Sequence, residues 1–110
     1  MTIPSDLLPS AKEVVNSLVE GRLTANQVTR STVQGILTAV SKYPGTLSQV
    51  PDEAYEKAYV YPTKDSNPPE WMIEVDLWVD GRPSDLTLSL HATRFSKDRA
   101  EVRIDDVQVL

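Results

Sequence analysis

The stretch from Trp71 to Leu90 limits the chain most, because apolar and polar residues alternate twice around a single Asp-Gly pair. Before the pair, Trp71, Ile73, Val75, Leu77 and Val79 fall on one side of an extended backbone, and Met72, Glu74, Asp76 and Trp78 on the other. After it, Leu86, Leu88, Leu90 and Ala92 share a side, opposed by Asp85, Thr87, Ser89, His91 and Thr93. A period of two over such runs fits strands, and Asp80-Gly81 is a strong hairpin signal. A two-residue loop there would set Asp76 against Asp85, a like-charge pair that weakens a ladder. A four-residue loop that also holds Arg82 and Pro83 pairs Asp76 with Thr87 and Val75 with Leu88, and keeps Pro83 out of the ladder. The longer loop is therefore predicted.

An apolar sheet face needs a cover, and the first half of the chain reads as one. Across Ser5 to Glu20, Leu7, Ala11, Val14, Val15, Leu18 and Val19 follow helical spacing, Pro9 is tolerated in the first turn, and Gly21 supplies a left-handed stop. Ser10 and Glu13 also have capping-box spacing, so a later start fits equally. Thr24-Ala25-Asn26-Gln27 reads as the capping box of a second helix with Val28, Val33, Ile36, Leu37 and Val40 as its core stripe, ended by Tyr43-Pro44-Gly45. The short link at Arg22 and Leu23 predicts an antiparallel helix pair. Gly35 costs roughly 1 kcal/mol inside a helix, which points to close packing at that position.

Tyr55, Lys57, Tyr59 and Tyr61 alternate with Glu56, Ala58 and Val60 and predict a strand that Pro62 ends. Thr63 to Pro69 is a polar connection rich in turn formers. Ala100 to Leu110 predicts the last strand. Val102 and Ile104 share one phase there and Val107 and Val109 the other, which places a β-bulge at Asp105 or Asp106. The expectation is a single α+β domain over residues 1–110. Its two N-terminal antiparallel helices pack on one face of a four-stranded antiparallel meander sheet, in the order α-α-β-β-β-β.

The chain has no cysteine and one histidine, which removes thiolate metal sites and Cys-His nucleophilic chemistry. Ser89, His91 and Asp76 lack the nucleophile elbow and oxyanion nest that a hydrolase site needs. The four glycines form no phosphate loop. Glu74 and Asp76, two apart on one strand face, are within reach of a shared cation or acid/base role, but paired carboxylates on a solvated strand are far commoner. No enzyme activity, metal or cofactor is expected. There is no basic-then-apolar leader in residues 1–20 and no apolar run long enough to span a bilayer, so no membrane association and a cytoplasmic location are expected.

The formal net charge is −5 and lies mostly in the second half. Residues 1–54 hold four Lys/Arg and five Asp/Glu (−1), and residues 55–110 hold seven and eleven (−4). Such a surface repels nucleic-acid phosphates and steers a basic protein toward itself. Three tyrosines at alternate positions offer rigid contact area, although half-buried sheet tyrosines are common. Trp78, on the polar side of its strand, either folds under the Thr63–Pro69 loop or anchors an interface.

Three segments carry a resemblance. Glu70 to Trp78, Gly81 to Leu90, and the closing Ile104-Asp105-Asp106-Val107-Gln108-Val109-Leu110 resemble a family of small bacterial domains of unknown function with an "LW" strand, a "GRSDLTL" strand and an "IDDIHVL"-like end. This chain departs by carrying Pro83 between Arg82 and Ser84, and Gln108 where the pattern has histidine. The family carries no functional residues over. Its members are similar in size and charge to immunity proteins encoded beside bacterial toxins, including those of contact-dependent growth inhibition. The resemblance therefore implies a cytoplasmic immunity protein that neutralises a basic toxin domain through an acidic surface. Glu74, Asp76, Trp78, Asp85, Tyr55, Tyr59 and Tyr61 are the candidate contacts. The alternatives are a cone of helices and sheet around a small-molecule pocket, isomerase-like, with His91 or Asp76 at its mouth, and a general interaction module.

Overall fold

The computed structural model describes all of residues 1–110. Helix α1 spans Leu8–Val19, a 3-10 turn Ala25–Gln27, helix α2 Val33–Ser41, strand β1 Leu47–Ser48, helix α3 Asp52–Glu56 and strand β2 Tyr59–Pro62. The long strands follow as β3 Glu70–Val79, β4 Arg82–Ser96 and β5 Arg99–Val109. The class is α+β with N-terminal helices, as predicted. The sheet, however, has five strands where four were expected, and there are three α-helices rather than two.

All pairings named in the sheet are antiparallel. β4 lies between β3 and β5, while β1 and β2 share the far edge of β3 end to end. The apolar phase of each strand is buried on a single face. Ile73, Val75, Leu77, Leu88, Leu90, Ala92 and Ile104 reach no water at all and join Leu7, Ala11, Val15 and Leu18 of the helical layer in one core. Both α1 and α2 pack on β5, and α3 packs on β3. The sheet is thus the common support of the helices, and the expected helix hairpin is not the unit that covers it.

The hairpin satisfies both loop arguments at once. Asp80 (φ 53°) and Gly81 (φ 77°) form a two-residue turn with both residues left-handed, and Val79 pairs with Arg82. The predicted four-residue loop is therefore incorrect. The register below it is nevertheless the predicted one, Asp76 opposite Thr87 and Val75 opposite Leu88. Extra residues of β4 around Ser84 bulge opposite Leu77. The Ser84 hydroxyl donates to the Leu77 carbonyl at 2.6 Å and accepts from the Leu86 N–H at 3.2 Å, so it fills the gap in the ladder. Asp85 is thereby kept away from Asp76. Gly45 (φ 101°) lies against the turn, where an added Cβ would come within 2.5 Å of a Val79 methyl, so only glycine fits.

Helix α1 ends as predicted. Gly21 (φ 72°) donates to Leu18 O and Arg22 N–H to Ser17 O, which closes a Schellman motif. The second helix begins later than predicted. Thr24 and Gln27 do form a capping box, but the chain then leaves the helix. Val28 is buried and bridges Ile104 in parallel, Thr29 N–H donates to Ile104 O, and Arg30 takes φ 63°. β-branched residues at 28 and 29 suit that extended edge contact better than a helix. The true cap of α2 is Thr32, whose hydroxyl accepts from Gly35 N–H at 2.9 Å. The nearest neighbour of a Cβ at Gly35 would be that same hydroxyl, so the glycine serves the cap rather than helix packing.

The predicted strand from Tyr55 to Tyr61 is split. Pro51 precedes a one-turn helix with Asp52 and Glu53 in its first turn, where carboxylates favour the helix dipole. Tyr55 consequently turns into the core, and only Tyr59–Pro62 is extended. The predicted bulge in the last strand is present. Ser89 pairs with Asp106 and Leu90 with Ile104, leaving Asp105 as the extra residue.

Candidate functional site

The second face of the sheet carries no helix, and its strands set out a grid of side chains. One row runs Glu70, Thr93, Glu101; the next Tyr61, Met72, His91, Arg103; the third Tyr59, Glu74, Ser89, Asp106; the fourth Asp76, Thr87, Gln108. Five carboxylates face one guanidinium here, a net −4 that holds most of the chain's −5. The centre of the grid is small and dry, with Thr87, Ser89 and Thr93 at 2, 7 and 9% exposure. Its rim is aromatic and wet, with Tyr59 and Tyr61 at 75 and 48%. The Thr87 hydroxyl donates to Asp76 Oδ1 at 3.3 Å and the Tyr61 hydroxyl to Glu74 Oε1 at 3.4 Å. Desolvation, reinforced by the Glu74 and Asp105 carboxylates, holds the Tyr61 phenol above its ordinary pKa.

Of the predicted contact residues, Glu74, Asp76, Tyr59 and Tyr61 share this face, and Trp78 has the same phase on β3 but packs against the hydrophobic core. Trp78 is half-buried between Ser48 and Pro83, near the turn. It stands at the opposite end of β3 from the Thr63–Pro69 loop, which joins the sheet at Glu70, so the loop cannot cover it. Two predicted contacts are displaced. Asp85 sits in the bulge, where its carboxylate accepts the Tyr43 hydroxyl; that bond is the main cause of the raised Tyr43 pKa. Tyr55 is 4% exposed, with its ring near Lys12 Nζ (5.5 Å) and its hydroxyl buried without a hydrogen-bond partner. Burial pushes its pKa up to about 12.

His91 sits in a cleft of about 310 Å³ at the end of the face away from the turn, lined also by Thr29, Pro68, Glu70, Thr93, Phe95, Glu101 and Arg103. His91 Nε2 is 3.4 Å from Glu70 Oε1. The Arg103 guanidinium donates through Nε and Nη2 to a single oxygen of Glu101, Oε1. Asp76 lies opposite Thr87, two rungs further along, so the drawn Ser89-His91-Asp76 set is not assembled. The cleft between α1 and β5 is lined by Pro9, Ser10, Glu13, Val14, Ala100, Glu101 and Val102, and has neither His91 nor Asp76 in its lining. No group of three or more His, Cys, Asp or Glu side chains is placed to hold a metal ion.

The sequence reading missed Glu70 and Asp106. Glu70 has the same phase as Met72 and Glu74, so extending β3 by one residue reveals it; Asp106 follows once the bulge is fixed at Asp105. Thr29 carries no local signal, because its place in the cleft depends on its contact with Ile104 of β5. The Asp105 side chain is largely buried, and its Oδ1 makes no hydrogen bond; the nearest cation is Arg30 Nε at 3.6 Å.

The fold and this face define a two-layer α+β domain with one covered and one open, acidic sheet surface. Residues 11–110 match the family described as a domain of unknown function, DUF7668, and the chain belongs to that family. No curated protein and no solved structure matches it. No helix is long and apolar enough to cross a membrane.

Proposed function

We propose that the chain is a binding protein that docks a basic protein domain on the open face of its sheet. The observation that carries this reading is the concentration of charge: five carboxylates against one guanidinium on a helix-free face, bordered by two exposed tyrosines. Carboxylates gathered on one side raise the encounter rate with a cationic partner. Tyrosine and tryptophan supply contact area at low entropic cost. A floor of threonine and serine lets a partner approach the strands closely. In its specific form the partner is a bacterial toxin domain whose basic substrate groove the face occludes, and the chain acts in the cytoplasm as its immunity protein. No catalysis is assigned to it.

The test is affinity capture of the tagged chain co-expressed with the product of the neighbouring gene, with the bound species identified by mass. A stoichiometric basic protein, released by salt and detoxified by this chain, is the expected result. Capture that survives Glu74→Lys with Asp76→Lys and Asp106→Lys, in a variant shown to be folded, would exclude the open face.

A further inference from the structure

The His91 cleft has hydrogen-bonding capacity that the protein itself leaves unused, and the unused atoms are of one kind. Both Arg103 bonds go to Glu101 Oε1, so Glu101 Oε2 is free. Glu70 approaches His91 through Oε1 alone, so its Oε2 is free as well. Thr93 is about nine-tenths buried, lines the cleft, and its hydroxyl makes no hydrogen bond within the protein. Its hydroxyl therefore keeps its donor and acceptor capacity for a group that enters the cleft. Three residues with uncommitted oxygens thus line one space of about 310 Å³.

We infer that this cleft is the socket for an arginine side chain of the basic protein partner. The inference rests on the docking reading above and names the contact at its centre. A guanidinium brings several donors and no acceptor, the complement of two carboxylate oxygens and a hydroxyl. Arg103 does not oppose it, because its charge is spent on Glu101; two carboxylates against one guanidinium leave the cleft anionic. Phe95 also lines the cleft, with the Arg99 guanidinium 4.8 Å from its ring centroid. Arginine is also prominent among the residues that dominate protein interfaces.

The experiment titrates the full chain with Nα-acetyl-arginine N-methylamide and follows the His91 ring and Thr93 amide resonances by NMR. Nα-acetyl-norvaline N-methylamide, which lacks the guanidinium, serves as the control. Saturable shifts at both residues with the arginine compound alone are expected, with an affinity on the order of millimolar for a single side chain. Glu70→Gln with Glu101→Gln should abolish them, and Thr93→Val, which keeps the shape, should weaken binding several-fold. Shifts that are absent, that appear equally with the control, or that persist in the double variant overturn the socket. The two proposals fail separately. Partner capture unaffected by Glu70→Gln with Glu101→Gln removes the socket and leaves the docking face, whereas probe binding by a chain that captures no protein removes the docking face.

Discussion

The same strands make two different surfaces. On β4, Leu86, Leu88, Leu90 and Ala92 point to the helices, while Thr87, Ser89, His91 and Thr93 point away from them, yet most of both sets is shielded from water. The covered face is dry because helices lie on it and interlock with large side chains. The open face is dry at its centre for another reason, since its residues are small and stand among larger neighbours such as Met72, Glu74 and Arg103. Burial of the first kind is consumed in holding the fold. Burial of the second kind leaves a shallow polar floor that a partner can complete, so equal exposure conceals unequal roles.

The contrast is tested most severely at adjacent positions. Leu88→Ala should cost about 3 kcal/mol through the cavity it leaves, whereas Ser89→Ala, one residue on, should cost under about 1 kcal/mol. Urea unfolding of both variants measures this, and equal losses would mean that the open face is a second core. Charge comes next. Glu74→Lys with Asp76→Lys should slow association with a captured basic partner at least tenfold at low salt and leave the unfolding midpoint nearly unchanged. A large loss of stability with an unaltered on-rate would reverse the roles given to the two faces.

The smallest effect tests the covered side. Tyr55→Phe removes a buried hydroxyl that has no partner, so it should raise stability by about 1 kcal/mol rather than lower it. The phenol also has a folded pKa of about 12, above its unfolded value near 10. Its contribution is fully present below the unfolded pKa and is lost as pH rises through the folded one. The stability difference between variant and parent should therefore widen across that alkaline window. A constant difference would mean that the phenol titrates alike in the folded and unfolded chain and is not shielded from water.

What was legible in the sequence was what local pattern controls. Period-two alternation located β3 and β4, the phase change located the Asp105 bulge, and Gly21 located the end of α1. What was not legible depended on contacts distant in sequence. Val28 fits a helical stripe, with Thr29 beside it, until β5, some 75 residues later, offers both the Ile104 backbone. The turn at Asp80-Gly81 appeared to force a choice between turn and register because a serine-filled bulge is invisible to pattern. Tyr55 shared a phase with Tyr59 and Tyr61, but Pro51-Asp52-Glu53 is a helix-start signal and could have separated it from them. The open face was legible as a face, and its cleft was not, because Glu70 and Thr29 arrive from outside the predicted strands.

The interrupted borders of the sheet bear on how any partner can be recognised. Beside β3 the outer border is two short pieces, Leu47–Ser48 and Tyr59–Pro62, and the second ends in a proline that has no N–H to offer. Beside β5 the border is closed at its middle by the Thr29 N–H and the Ser31 hydroxyl, which bond the Ile104 and Asp105 carbonyls. An incoming peptide finds no long run of free backbone on which to add itself as a further strand, the mode by which many domains capture extended segments. The same closure discourages copies of the chain from zipping together. Selectivity in this protein must therefore reside in side-chain chemistry, which sequence change can retune without disturbing the sheet.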